Sequence, residues 1–263
     1  MIAQLGQSLD GRIATLTGES RYINGRSALE HLHRIRACVD AVVVGAGTVI
    51  ADNPRLTVRL CEGRSPVRVI IDPRARVPSS VTCLSDAAVR TIRIQACDAP
   101  PLPGLEVIKL PTQGGSISPR AIVSALADLG LRRLLIEGGA TTVSNFIDAG
   151  VIDRLHVLVA PVILGSGKPG LELAPIGKLC HALRPATMVH VLGDGNVLFD
   201  CDLRQSCEEL VEDAEPSSSP RQDHLFAGRH PSPLGDSPVR SDRYSTGDSH
   251  EQSAGRTAAG HAV

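Results

Sequence analysis

The sequence predicts an α/β fold: a mainly parallel, twisted sheet with flanking helices and an antiparallel hairpin at its C-terminal end. Three observations carry that expectation. Short runs rich in Val, Ile and Leu alternate with single amphipathic helical segments, and strands joined through one helix run parallel. Glycine-bearing turns at Gly45, Gly138 and Gly165 follow three of those runs, as they do where an open sheet meets a ligand. The last two runs are joined by Gly193-Asp194-Gly195-Asn196, residue types that make a tight reversal.

Taken in order, the apolar runs predict strands over residues 2–5, 12–16, 41–44 and 67–71. Further strands are expected over 91–94, 106–109, 133–136 and 154–159, with the hairpin over 187–191 and 197–201. A helix is predicted over 26–38, where Leu29, Leu32 and Ile35 recur at helical spacing. Another, over 118–129, opens with Ser118 as its cap and Pro119 in the first turn, and stops at Gly130. A third is read over 141–149, with Val143, Phe146 and Ile147 on one face and Gly150 as its stop. Only Tyr22, Phe146 and Phe199 are aromatic in this part of the chain, so the core is Val, Leu, Ile and Ala.

The alternation stops near residue 202 of 263. Five acidic residues from Glu208 to Glu215 lead into Ser217-Ser218-Ser219-Pro220 and a polar stretch that buries too little apolar surface to offset its ordering entropy. Residues 1–203 are therefore expected to form one domain with a sizeable core, and 204–263 a disordered, low-complexity tail. A formal net charge of −1 gives no reason to expect a nucleic-acid surface. No apolar run reaches the roughly 18 residues that span a bilayer, and the start lacks the basic segment of a signal peptide. The seven cysteines are scattered without C-x-x-C spacing, which suits reduced thiols and argues against a disulfide framework or a metal site. A cytoplasmic protein without nucleic-acid or membrane partners is expected.

Chemistry concentrates at Glu137-Gly138-Gly139-Ala140-Thr141-Thr142, which follows Leu134-Leu135-Ile136. A carboxylate at a strand end, two glycines and a helix start make an anion site, because the backbone N–H groups approach a ligand closely and carry partial positive charge. The standard nucleotide fingerprints fail. Gly45-Ala46-Gly47 has Ile50 where a third glycine belongs, and Gly165-Ser166-Gly167-Lys168 is followed by Pro169 instead of a hydroxyl residue. Other polar clusters interrupt the apolar runs, and each read singly is a turn or a solvated charge, as with Asp52-Asn53-Pro54 or Arg59.

Together the clusters fall into a pattern. Ser8-Leu9-Asp10-Gly11-Arg12-Ile13-Ala14, Gly18-Glu19-Ser20 and Thr48-Val49-Ile50-Ala51-Asp52-Asn53-Pro54 are followed by Leu56-Thr57-Val58-Arg59, Glu137-Gly138-Gly139, and Ala160-Pro161 through Leu164-Gly165. In this order, over about residues 1–202, the chain resembles the reductase domain of the riboflavin-biosynthesis deaminase–reductase. The resemblance implies a dihydrofolate-reductase-like fold, a homodimer, and NADPH-dependent reduction of 5-amino-6-(5-phosphoribosylamino)uracil to its ribitylamino product. It also implies roles for residues. The phosphorylated pyrimidine substrate would meet Ser20, Arg36, Leu56, Arg59 and Glu137. The NADPH cofactor would meet Gly6, Tyr22, Thr48, Asp52, Pro73, Gly139, Ala140, Thr141, Thr142, Val143, Ser144 and Asn145. Asp52 is the candidate for steering the accompanying proton, and no metal is implied.

Some positions depart from the family. Gln4 stands where Lys is usual, and Tyr22 where some members have Trp. Pro73 has no N–H to donate, so a contact there uses its carbonyl or its ring. Arg74 and Arg76 follow a predicted strand and are candidates for the 2′-phosphate that marks NADP. The H-x-E and P-C-x-x-C motifs of the zinc deaminase half are missing from the sequence, so only the reductase step is expected, with deamination supplied by another polypeptide or an upstream domain. Two alternatives stay open: a reductase of the same fold acting on a pterin or specialised pyrimidine, and a non-catalytic nucleotide-binding protein.

Overall fold

The computed structural model describes residues 1–21 and 23–206, with side chains through residue 204. Tyr22 and nearly all of the expected tail lie outside the described residues.

The strands are β1 (Ile2–Ser8), β2 (Arg12–Thr15), β3 (Ala41–Gly45), β4 (Val67–Ile71), β5 (Thr91–Gln95), β6 (Leu105–Lys109), β7 (Thr112–Gln113) and β8 (Ser116–Ile117), then β9 (Leu134–Glu137), β10 (Arg154–Ala160), β11 (Gly167–Pro169), β12 (Pro185–Val191) and β13 (Val197–Ser206). The helices are α1 (Arg26–Cys38), α2 (Ala46–Asp52), α3 (Thr82–Ser85), α4 (Pro119–Asp128) and α5 (Ala140–Asp148). Nine strands form one sheet in the order β12-β13-β10-β1-β9-β3-β4-β5-β6. From β10 to β6 every neighbouring pair is parallel; β13 runs antiparallel to both β10 and β12. The expected parallel sheet with an antiparallel C-terminal hairpin is therefore what the chain forms.

Both faces of the central strands are covered, which explains their uninterrupted apolar runs. Val42, Val43 and Val44 of β3 are all fully buried. On one face Ile122 and Leu126 of α4 and Val143 and Phe146 of α5 pack against Val43, Val69 and Ile136. On the other, Ile35 of α1 and Val49 of α2 pack against Val42, Val44 and Leu135.

Four differences from the sequence reading matter for the site. Strand β1 continues to Ser8, because Gly6, Gln7 and Ser8 keep pairing with Leu158, Val159 and Ala160. The run at 12–15 leaves the main sheet and pairs instead with β11 as a two-stranded ribbon. Residues 46–52 form α2, a helix hidden in the sequence by Gly47 and the β-branched run Thr48-Val49-Ile50, all weak helix formers. Its end follows turn chemistry: Asn53 takes the left-handed conformation and its N–H bonds the Val49 carbonyl. Strand β13 runs to Ser206, three residues past the expected domain limit.

The hairpin tip does more than reverse the chain. Asp194 accepts the Ser27 N–H at 2.8 Å, and Asn196 Oδ1 accepts from Asn24 Nδ2 at 3.0 Å, so the tip holds the start of α1. Of Leu29, Leu32 and Ile35, which set the helical spacing of α1, only Ile35 is fully buried, and the helix also buries Ala28, His33 and Arg36. A helix that buries a histidine and an arginine is serving a polar site.

Candidate active site

The site lies at the carboxyl ends of β1, β9 and β3, where two helices begin side by side. Adjacent strands β3 and β9 run straight into α2 and α5, so both helix starts open on the same space. Glycines permit the approach. A Cβ at Gly45 would sit 2.4 Å from Thr142 Oγ1, and one at Gly139 would sit 2.8 Å from Thr48 Oγ1. Gly138 and Gly139 also have φ of 73° and 69°, a region costly for other residues. No side chain caps α5, so the first-turn N–H groups of Ala140, Thr141 and Thr142 keep no intrahelical acceptor, and these three residues line the cavity.

That cavity measures about 880 Å³. Its walls bring together Gly6, Ser20, Thr48, Asp52, Leu56, Pro73, Glu137, Gly139, Ala140, Thr141, Thr142 and Asn145 from the residues singled out in the sequence. Val143 and Ser144 are not among them. Both side chains are buried under α5, and Ser144 Oγ accepts the Glu172 N–H at 2.8 Å, so neither faces a ligand. The Val143 N–H is taken by the Gly139 carbonyl. Of the loop 139–145, the residues that reach the cavity are therefore Gly139 to Thr142, with Asn145 beyond them.

Glu137 is fixed by a buried arginine. Arg36 Nε donates to Glu137 Oε2 at 2.9 Å, Nη2 donates to Oε1, and Nη1 donates to the Thr57 carbonyl at 3.1 Å. This two-pronged pairing orients the carboxylate, and Arg36 itself is not among the residues that line the cavity. In this arrangement Arg36 positions Glu137. Arg59 is exposed beside this pair, with Nη1 donating to Thr57 Oγ1 at 2.8 Å. Partial desolvation of its head group, then the nearby cations Arg36 and Arg55, hold the Arg59 guanidinium below its ordinary value. Arg59 thus stands within reach of two other arginines and of Glu137. Arg55 was not singled out in the sequence, where it reads as an ordinary loop charge.

The loop that carries Leu56 and Arg59 is clasped by α1. His33 Nδ1 accepts the Arg59 N–H at 2.8 Å and the Leu60 N–H at 3.3 Å. Burial, then Arg36 and Arg59, pull the His33 imidazole down to about 4, so it is neutral and free to accept. Leu56 itself is buried with φ of 55°. His33 also escaped the sequence reading; the signal was its spacing from Arg36, three residues along one helix face.

The remaining motifs build the walls. Asp10 accepts N–H bonds from Leu164 and Gly165 at 3.1 and 2.7 Å and the Ser8 hydroxyl at 2.6 Å. These bonds, the Ser8 hydroxyl first, lower its carboxyl to about 2. Two distant motifs thereby meet and hold the β2–β11 ribbon, whose Ala14 and Lys168 line the cavity. The Gly165 turn accordingly anchors the ribbon instead of facing a ligand. Across the cavity, Asp72 accepts the Arg76 and Val77 N–H groups at 2.9 and 2.8 Å, so the turn after β4 presents Arg76 to the cavity. Arg74 is not among the lining residues. The Pro73 carbonyl already accepts the Ala96 N–H at 3.0 Å, which leaves chiefly its ring for a ligand.

The class follows from this geometry: an α/β domain whose paired helix starts open on one cleft beside a buried carboxylate. The chain belongs to the RibD C-terminal domain family, whose model matches residues 1–194. It is 36% identical over 174 residues to the 2,5-diamino-6-ribosylamino-4(3H)-pyrimidinone 5′-phosphate reductase of Methanothermobacter thermautotrophicus, covering 63% of this chain and 79% of that one. It is 36% identical over 167 residues to the riboflavin biosynthesis protein RibD of Aquifex aeolicus, covering 61% of this chain and 46% of that one. The chain thus spans about half the length of such RibD relatives. Among solved structures, the deaminase/5-amino-6-(5-phosphoribosylamino)uracil reductase of Thermotoga maritima superposes with a TM-score of 0.68 at 28% identity, covering 77% of this chain and 56% of that one. No helix among the described residues is long and apolar enough to cross a membrane.

Proposed function

We propose that this chain is a reductase of riboflavin biosynthesis, converting 5-amino-6-(5-phosphoribosylamino)uracil to its ribitylamino product with NADPH. One observation carries the reading. A single cavity holds the uncapped first turn of α5 and, beside it, a carboxylate aligned by a buried arginine. The bare N–H groups of Ala140, Thr141 and Thr142, in a glycine cradle that any Cβ would fill, suit the cofactor pyrophosphate. Gly6, Thr48, Asp52 and the ring of Pro73 complete that half. Arg76, held at the rim by its Asp72 turn, suits the 2′-phosphate that separates NADPH from NADH.

The substrate half is Glu137, Ser20, Leu56 and Arg59. Glu137 is acceptor-only and suits the donor-rich aminopyrimidine or the sugar hydroxyls, while Arg59 offers fork donors to the phosphate. NADPH supplies the hydride when bound; the opened, imine form of the sugar receives it. The chain's own contribution is placement: α2 and α5 fix one reactant, the Arg36–Glu137 pair the other, and the ribbon covers both. Asp52 is the proposed proton-steering group, on the cavity wall at the end of α2. A homodimer located in the cytoplasm completes the proposal.

The test is NADPH oxidation by the purified chain with the phosphoribosylaminouracil, against NADH and against a pterin. Turnover is expected with the pyrimidine, with kcat/KM roughly ten- to a hundredfold higher for NADPH than NADH, the value of one charge-assisted phosphate contact. Turnover of the pterin alone, or none at all, would sink the reading.

A further inference from the structure

We infer that Asn24 is a further cofactor-positioning residue: its side-chain oxygen, held in place by Asn196 at the tip of the terminal hairpin, accepts a hydrogen bond from the nicotinamide carboxamide. This deepens the reading above and rests on it. The observation is where that oxygen lies. Gly6 of β1 and Asn24 both line the cavity, and a Cβ built on Gly6 would stand 2.1 Å from Asn24 Oδ1. The Asn24 oxygen thus occupies the space in which a side chain of β1 would begin. Asn24 belongs to the segment that leads into α1, yet it is not the cap of that helix, because the capping position is Gly25.

Both amide protons of Asn24 are spent on the protein. Nδ2 donates to the Leu158 carbonyl at 3.2 Å and to Asn196 Oδ1 at 3.0 Å. A carbonyl can only accept, so the nitrogen must face Leu158 and the amide cannot be turned round. Asn196, 2% exposed, is fixed in the same way. Its Nδ2 donates to Asp194 Oδ1 at 2.9 Å, and Asp194 Oδ2 accepts the Ser27 N–H at 2.8 Å. Space for this clasp depends on Gly25, where a Cβ would stand 2.3 Å from Asp194 Oδ2. One group is left over. Among the described residues no donor reaches Asn24 Oδ1, and the atom is not buried out of reach. A carbonyl oxygen oriented by this network and left without a donor is a built acceptor for a ligand.

An uncharged acceptor selects an N–H donor. Gly6 lies in the cofactor half proposed above, on a strand three places along the sheet from β4, whose following turn carries Pro73 and Arg76. That separation of about 14 Å puts the 2′-phosphate end of the cofactor elsewhere and leaves its nicotinamide end for Gly6 and Asn24. The carboxamide holds the only N–H group on that ring, since the ring nitrogen is bonded to the ribose. Holding the carboxamide fixes the ring about its glycosidic bond, and so decides which face meets the substrate. Asn196 does not line the cavity and acts on the reaction only through Asn24, as a positioning residue.

The test compares two ligands by calorimetry on the full chain: NADP⁺ and its 3-acetylpyridine analogue, in which a methyl ketone replaces the carboxamide and the N–H donor is lost. The wild type should bind NADP⁺ about five- to tenfold more tightly than the analogue. Asn24→Ala should bring that preference below about twofold. Asn196→Ala, which leaves Asn24 in place but unclamped, should lower the preference while NADP⁺ still binds. Equal affinities in the wild type would overturn the inference without any variant, even if Asn24→Ala failed to fold. A preference that survives Asn24→Ala would overturn it too, as would an effect confined to substrate KM. The wild-type preference in Asn196→Ala would overturn the part given to the hairpin. Failure of the wild type to bind NADP⁺ at all is a different failure: it removes the reductase reading itself.

Discussion

Arg36 and Glu137 form a charge pair whose value depends on both members being present. Each side chain is nearly enclosed, so removing one leaves the other charged in a poor solvent. Arg36→Met should therefore destabilise the fold by about 3–5 kcal/mol in urea unfolding, and a Glu137→Gln, Arg36→Met double variant should recover part of it. A loss below about 1 kcal/mol would place the pair with exposed salt bridges. His33 supplies a pH signature at the same place. Its folded value of about 4 lies below its ordinary 6.5. As pH falls through that window the unfolded chain binds a proton that the folded chain refuses, so stability is full above 6.5 and drains away toward 4. His33→Asn keeps an acceptor but does not titrate. Its urea midpoint should decline less steeply between pH 6.5 and 4.5 than that of the wild type, and equal slopes would exclude His33 as a source.

At the scale of elements, the joint between α2 and α5 is the most exposed to test. Gly45 has an ordinary φ of −80°, so its need for glycine is purely one of space: the Thr142 hydroxyl occupies the position of a Cβ. Gly45→Ala should cost about 1–3 kcal/mol and weaken NADPH binding, because overpacking pushes the two helix starts apart. Adding Thr142→Ala should restore stability. If the second change gives no recovery, the two helices do not meet as described. This joint also marks the limit of what the sequence discloses. The apolar runs fix where most strands lie, since burial on both faces requires them, and Glu137-Gly138-Gly139 marks the site because a carboxylate, two glycines and a helix start are adjacent in the chain. The contact between Gly45 and Thr142 joins residues nearly a hundred positions apart, and no local pattern records it. The same holds for the Arg36–Glu137 pair, whose members stand 101 positions apart. Helix α2 stayed hidden because tertiary packing of Ala46 and Val49 overrides poor propensity.

At the scale of the molecule, β12 stands out as an edge strand with almost every residue exposed. Met188, Val189 and Val191 are 54%, 56% and 76% exposed, and such an apolar edge invites pairing with another strand. We propose it as the surface of the homodimer. Light scattering should give twice the chain mass for the wild type and a single mass for Val189→Glu, Val191→Glu; a wild-type monomer would remove the proposal. The sheet has a second consequence, one of timing. β1 is made first yet sits at the centre, and its neighbours β9 and β10 arrive last among the parallel strands. At roughly 5–20 residues per second of synthesis, Gln4 waits on the order of ten seconds for His156, about 150 residues later, to leave the ribosome. Until β9 and then β10 are made, β1 has no partner strand in the main sheet, and it is the strand of this domain with most to gain from a chaperone.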